Sequence, residues 1–216
     1  MTSRTLRLAA LTAALISGAA ALSGCAALLV GGAVVGGSLI ATDRRSSGTQ
    51  IDDQAIELKA NKRVREVLGD RGHVNVTSYN RMVLLSGEVP TDENKAAVEQ
   101  AVAKVDNVRS VVNELAVTMA SSLSNRSNDA LVTSKVKATL VDAGDISANA
   151  FKVVTERGIV YLMGRVTERE ATRASDLTRS INGVQKVVRV VEILSEGELA
   201  ELQPQNAPKT PPPPRP

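Results

Sequence analysis

Spacing of apolar and polar positions divides the 216-residue chain into one long apolar stretch followed by two copies of a single pattern. From Leu8 to Ala41 there is no charged residue. A polar spacer then leads to the first copy, "NVTSYNRMVLLSGEVPTDEN" over Asn75–Asn94, and the second reads "KVVTERGIVYLMGRVTEREA" over Lys152–Ala171. Val76 matches Val153, Leu85 matches Leu162, Gly87 matches Gly164 and Val89 matches Val166, all 77 positions apart. Further on, Val105–Val108 matches Ile181–Val184 at a spacing of 76, so one residue differs in the intervening helix. Two copies suit two small domains better than a solenoid, which needs three or more repeats to bury a continuous core.

Each copy reads as α-β-β-α-β. In the first, Asp52 or Asp53 opens a helix whose apolar face includes Ile56, Val64, Val67 and Leu68. The runs Val74–Tyr79 and Met82–Val89 flank Asn80-Arg81, a hairpin signal. Thr91 or Asp92 then caps a second helix to about Lys104, and Val108–Val117 supplies the last strand. The second copy predicts a helix from an Asn128 or Asp129 cap to about Val141, strands at Phe151–Glu156 and Ile159–Val166, a helix at Glu168–Ser180 and a strand at Val184–Leu194. The expected fold is α+β: two small αββαβ domains, each a three-stranded mixed sheet with two helices on one face. The bare sheet faces are expected to seek a partner, and the two domains to touch.

Four glycines punctuate the pattern. Gly158 suits a positive φ in the second hairpin, Gly87 and Gly164 lie inside strands where a missing side chain marks a bulge or a close approach, and Gly183 precedes the last strand. The expected boundaries are 50–118 and 127–194 for the domains, with a linker at 119–126. From Ser195 the periodicity ends, and "QPQNAPKTPPPPRP" predicts an extended, unpacked tail over 195–216.

The apolar N-terminal stretch has the layout of an export signal: Arg4 and Arg7, an apolar region to Leu22, then small residues. Leu22-Ser23-Gly24-Cys25 resembles the lipobox of bacterial lipoprotein precursors, in which the cysteine sulfur takes a diacylglyceryl group and the chain is cut before it. The resemblance implies a signal peptide at 1–24, lipid attachment at Cys25, and an apolar segment and linker at 25–49. Ala26 stands where an Asp would resemble the inner-membrane retention signal, which points to the outer membrane and its periplasmic face. An uncleaved transmembrane helix is the alternative, disfavoured by Gly31, Gly32, Gly36 and Gly37.

Composition narrows the chemistry. One Cys allows no internal disulfide, and one Cys with one His allows no Cys/His metal cluster. Three aromatic residues in total argue against base-stacking on nucleic acid. No nucleophile elbow, Walker loop, zincin or EF-hand pattern occurs, so no catalytic residue, metal or cofactor is expected. His73 reads as a solvated histidine at a turn, and Asp52-Asp53 as a helix start.

The tandem units, with "VLLSGEV" and "VYLMGRV" followed by "NVRSVVNEL" and "GVQKVVRVV", resemble BON domains over about residues 50–194. With the lipobox, the whole is similar to the tandem BON-domain outer-membrane lipoproteins. That resemblance implies a non-enzymatic envelope protein whose relatives bind anionic phospholipid, maintain the barrier and are associated with envelope stress and the division site. In place of the family's glycine before the last strand, the first copy carries Asn107, which tolerates the left-handed region.

Charge agrees mildly. Residues 50–118 hold nine Lys/Arg against eleven Asp/Glu, net −2, and residues 127–194 hold ten against eight, net +2. In the first helix of the second domain, Val132, Val136 and Leu140 mark the core face, while Leu131 lies about 100° away beside Lys135 and Ala138. Leu131, Lys135 and Ala138 are the candidate phospholipid-binding residues, with packing of Leu131 at the core edge or against the first domain as the bland reading. Arg169 and Arg173 either reach phosphate or decorate a solvated face. A protein-interaction adaptor for outer-membrane assembly proteins is the rival function.

Overall fold

The computed structural model describes residues 43–202. The expected signal peptide, Cys25, the apolar segment after it and the proline-rich end lie outside the described residues. The first unit runs α1 (Ser47–Leu68), β1 (His73–Tyr79), β2 (Met82–Val89), α2 (Asp92–Ala103), β3 (Ser110–Asn113) and β4 (Ala116–Val117). The second runs α3 (Leu123–Ala143), a 3-10 turn (Ala148–Ala150), β5 (Phe151–Glu156), β6 (Ile159–Val166), α4 (Glu168–Arg179) and β7 (Lys186–Ile193), followed by a short α5 (Glu196–Leu202).

Each sheet is mixed. β1 pairs antiparallel with β2, and β3 and β4 pair parallel with the other side of β2. The β3–β4 break at Glu114-Leu115 turns Leu115 into the core, so this sheet is three strands wide along one interrupted edge. In the second unit β6 pairs antiparallel with β5 and parallel with an unbroken β7.

The side-chain period of two sorts each sheet into two faces. On the helix side, Val83, Leu85 and Val89 of β2 pack with Ile56, Ala60 and Val64 of α1 and Val98 and Val102 of α2. The equivalent layer in the second unit joins Val160, Leu162 and Val166 to Val132, Val136 and Leu140 of α3 and Ala171 and Ala174 of α4. The opposite faces meet each other: Tyr79, Leu84, Tyr161, Met163 and Val190 form a third buried cluster. The layers are therefore helices, sheet, sheet, helices. Fully burying one such side chain stabilises by about 1.5–3 kcal/mol, which explains why β2 and β6 are buried on both faces.

Several sequence expectations require correction. α1 starts at a Ser46 cap and α3 at a Ser122 cap, each accepting from the backbone N–H three residues on, five or more residues before the expected starts. Asp53 and Asp129 are consequently not caps. They sit buried inside their helices and hold the hairpin turns: Asp53 accepts from the N–H groups of Asn80 and Arg81, both at 2.8 Å, and Asp129 from those of Arg157 and Gly158 at 2.8 and 2.9 Å. Both turns have two successive residues at positive φ, a geometry that aims consecutive N–H groups at one acceptor. The expected spacer before residue 50 is docked structure from Asp43 onward. His73 is not at a turn; it opens β1, half-buried, 3.9 Å from Glu156. Past Ser195 the chain still packs, because Ser195 and Glu198 close a capping box and Leu199 of α5 is buried.

Candidate membrane-facing site

The lengthened α3 changes what its outer face presents. Twenty-one residues at 100° per step place Leu123, Ser127, Leu131, Ser134, Ala138 and Val141 along one line, opposite the buried Val132, Val136 and Leu140. Every member of that line is exposed, Leu123 by 79%, Leu131 by 61% and Val141 by 65%. Leu131 therefore packs neither at the core edge nor on the first unit. Lys135 and Ala138 share its face, and Lys137 borders the other side. Three large apolar side chains on a solvent-facing helix, flanked by lysines whose aliphatic stems tolerate apolar surroundings, form a surface suited to an interface of headgroups and acyl chains. Leu123 was beyond sequence reasoning because the expected helix started too late, and Val141, at its expected end, was not singled out. Met119, 89% exposed in the linker just before α3, adds to the same end.

Rigid supports hold this helix. Its apolar face is locked into the second core, Asp129 ties it to the β5–β6 turn, and Thr133 bonds Thr155 of β5 through hydroxyls at 2.7 Å. Gly183, at φ 103°, lies against the Val132 side chain, and Asn107 adopts φ 66° in the matching turn of the first unit. Gly87 has φ 115°, and a side chain there would overlap the His73 carbonyl; at Gly164 it would meet the Ala150 carbonyl at 2.5 Å. Gly158 occupies the second turn position of the β5–β6 hairpin at φ 72°. Arg169 and Arg173 are spent on Asp145, through its carbonyl at 3.2 Å and its carboxylate at 2.9 Å.

Charged groups between the two sheets form a second polar constellation that sequence reasoning did not single out. Glu156 accepts from Asn75 at 2.6 Å; burial, with the Glu88 and Asp129 carboxylates nearby, raises its pKa against the opposing pull of that hydrogen bond and of Arg126. Glu88 is fully buried, accepts from the Ser121 N–H at 3.2 Å and has Arg157 at 4.0 Å. Glu192 gathers Asn80, Arg109 and Arg165. Burial alone would raise the pKa of Glu192, but the bonds from Arg109 and Asn80 and the charge of Arg165 hold it below the usual carboxylate range. Most of these groups are paired across the junction, but Glu88 Oε1 is buried without a hydrogen-bond partner. Among the described residues no cluster of His, Cys, Asp and Glu fits a metal ion, and no helix is long and apolar enough to cross a membrane.

Comparison with known proteins agrees with this architecture. The BON domain model matches residues 52–119 and again 128–195. The chain is 38% identical over 175 residues to the outer membrane lipoprotein DolP of Haemophilus influenzae, covering 80% of this chain and 90% of that protein. It is 31% identical over 151 residues to a 21 kDa hemolysin of Actinobacillus pleuropneumoniae, covering 69% and 78%, and 31% identical over 162 residues to the osmotically-inducible protein Y of Escherichia coli, covering 70% and 77%. With most of both folded units matched by one family model, the chain belongs to the BON-domain family and carries two BON domains in tandem.

Proposed function

We propose that this chain is a lipoprotein of the outer membrane, held at the periplasmic face by acylated Cys25, whose second BON domain binds anionic phospholipid through α3 and so helps maintain the envelope barrier. The observation that carries the reading is the solvent-facing line of Leu123, Leu131 and Val141 beside Lys135 and Lys137. The net +2 of residues 127–194, against −2 for residues 50–118, favours the second domain as the one drawn to an anionic surface. Each basic residue held near such a surface contributes about 1 kcal/mol. Similarity to an outer membrane lipoprotein supports the compartment. The reading assigns no catalysis, metal or cofactor.

Binding of the chain from Thr42 onward, without its lipid, to phosphatidylglycerol-rich and to phosphatidylcholine vesicles tests it. The native form is expected to bind the anionic vesicles with an affinity that falls as salt rises, and Leu131→Glu to stay folded but lose binding. Equal indifference to both vesicle types would sink the reading and leave α3 as a protein-docking surface, with outer-membrane assembly proteins as its partners.

A further inference from the structure

Glu88 of β2 is fully buried at the junction of the two domains, and only one of its carboxylate oxygens is used. Oε2 accepts from the N–H and the hydroxyl of Ser121, in the linker, at 3.2 and 3.4 Å. Oε1 makes no hydrogen bond. Arg157, in the β5–β6 turn, brings its Nε to 4.0 Å from that oxygen, too far for a hydrogen bond. Glu88 and Arg157 both line a cavity of about 500 Å³, whose walls come from the linker, the start of α3 and the turns that carry Gly158 and Gln185. The Arg157 side chain is 44% exposed, so the cavity shows the guanidinium to solvent and keeps the carboxylate behind it.

A buried carboxylate oxygen without a donor is unfavourable and uncommon. The charges on the lining decide what can supply the donor. A ligand that is only a cation is repelled by Arg157, and one that is only an anion is repelled by Glu88. A zwitterion laid head to tail against the pair satisfies both: its ammonium donates to Glu88 Oε1, and its acidic oxygens accept from the Arg157 guanidinium. The 4.0 Å separation suits an α-amino acid, whose nitrogen and carboxylate oxygens lie about 2.7–3.6 Å apart by bond geometry. Asn128 and Gln185 add amide donors and acceptors to the wall, and the first turn of α3, which opens at Ser122, favours negative charge beside it. We propose that this cavity binds an amino acid as a zwitterion, its ammonium on Glu88 and its carboxylate on Arg157. Arg157 swings off Oε1 to admit it, a motion that its half-exposed side chain and long pairing allow. The bound solute then joins the two domains more firmly, because Glu88 already holds the linker at Ser121 and the Arg157 N–H is held by Asp129 of α3. The site takes a solute rather than a bilayer and does not depend on the phospholipid reading.

The test uses the full chain in detergent micelles, with amide NMR spectra recorded against rising glycine or alanine. Saturable shifts are expected at Ser121 and Gly158, while acetate and ethanolamine, which carry one charge each, bind roughly tenfold more weakly or less. Glu88→Gln keeps an acceptor for Ser121 but puts an amide donor where the unpaired oxygen stood, and should weaken amino-acid binding by roughly tenfold or more. Arg157→Gln should do the same from the carboxylate end. Should Glu88→Gln fail to fold by circular dichroism, Arg157→Gln, at a half-exposed turn position, decides the matter alone. No saturable shift with either amino acid overturns the inference, as does an equal response to acetate or ethanolamine, or a folded variant that binds as the native chain does. A response to glycerophosphoethanolamine alone, which sets its ammonium beside a phosphate, also overturns it and gives the cavity to a lipid headgroup.

Discussion

Neighbouring aspartates Asp52 and Asp53 should respond very differently to removal. The Asp53 carboxylate is buried and accepts four hydrogen bonds: Ser78 Oγ at 2.6 Å, and the N–H groups of Asn80 and Arg81 and the Arg45 guanidinium, each at 2.8 Å. Asp52 pairs only with Arg81, whose side chain is half exposed. Asp53→Ala strands two turn N–H groups and the Arg45 charge. A hydrogen bond to a charged group is worth about 1.5–3 kcal/mol, and the losses within one network do not simply add, so the expected cost is about 3 kcal/mol. For a body of this size that corresponds to a fall in Tm of roughly 6–12 °C. Asp52→Ala should cost less than about 1 kcal/mol, as exposed pairs do. Thermal unfolding of the full chain in detergent, followed by far-UV circular dichroism, measures both. The Asp53 loss should also depend on pH. Burial would raise its pKa, but the bonds from Ser78, Arg81, Arg45 and Asn80 hold it below the ordinary carboxylate range. A depressed folded pKa stabilises above the unfolded value and is lost as pH falls through the folded one, so the gap between native and variant should close only in strong acid. Equal, small effects of the two substitutions at pH 7 would refute the reasoning.

Further expectations follow from individual sites. Gly87→Ala meets a positive φ and the His73 carbonyl together, and should destabilise by about 3 kcal/mol or more in urea unfolding, whereas Ala at Gly69, which has open space, should cost about 1 kcal/mol. Glu156 has a raised pKa, so its protonated form suits the native state and its stabilisation is lost as pH rises through the folded pKa; Glu156→Gln should raise Tm at pH 7, with the advantage vanishing below the carboxylate range. Leu123→Glu should weaken binding to anionic vesicles as Leu131→Glu does, while Leu58→Glu on the exposed face of α1 should leave that binding unchanged.

Local pattern carried a large share of this structure. Val132, Val136 and Leu140 recur at helical spacing because a helix can bury only one stripe, and that spacing already put Leu131 outside it. Phe151–Glu156 and Ile159–Val166 were legible to the residue, since a two-residue turn with glycine separates two β-branched runs. The starts of α1 and α3 were not. Their first turns, "SGTQ" and "LSNR", are polar and carry no period, and the acidic residues that looked like caps were committed elsewhere. That Asp53 and Asp129 hold hairpin turns depends on residues 25 or more positions away, which no window along the chain can see.

What the sequence by itself determined is the repeat, the α+β class, the element order and the apolar stripe of each helix, all of which follow from side-chain periods of 3.6 and 2. Only the tertiary structure decided what covers the second face of each sheet. The first halves of β2 and β6, Met82–Leu85 and Ile159–Met163, are apolar on both sides, which says that each face is buried there but not against what. The answer, each sheet against the other, arises because Tyr79, Leu84, Tyr161 and Met163 exclude water only when the two faces meet. The same juxtaposition creates the buried sites of Glu88, Glu156, Glu170 and Arg44. Their charges read as ordinary polar residues in the chain, and they acquire structural meaning only when groups distant along the chain pack around them.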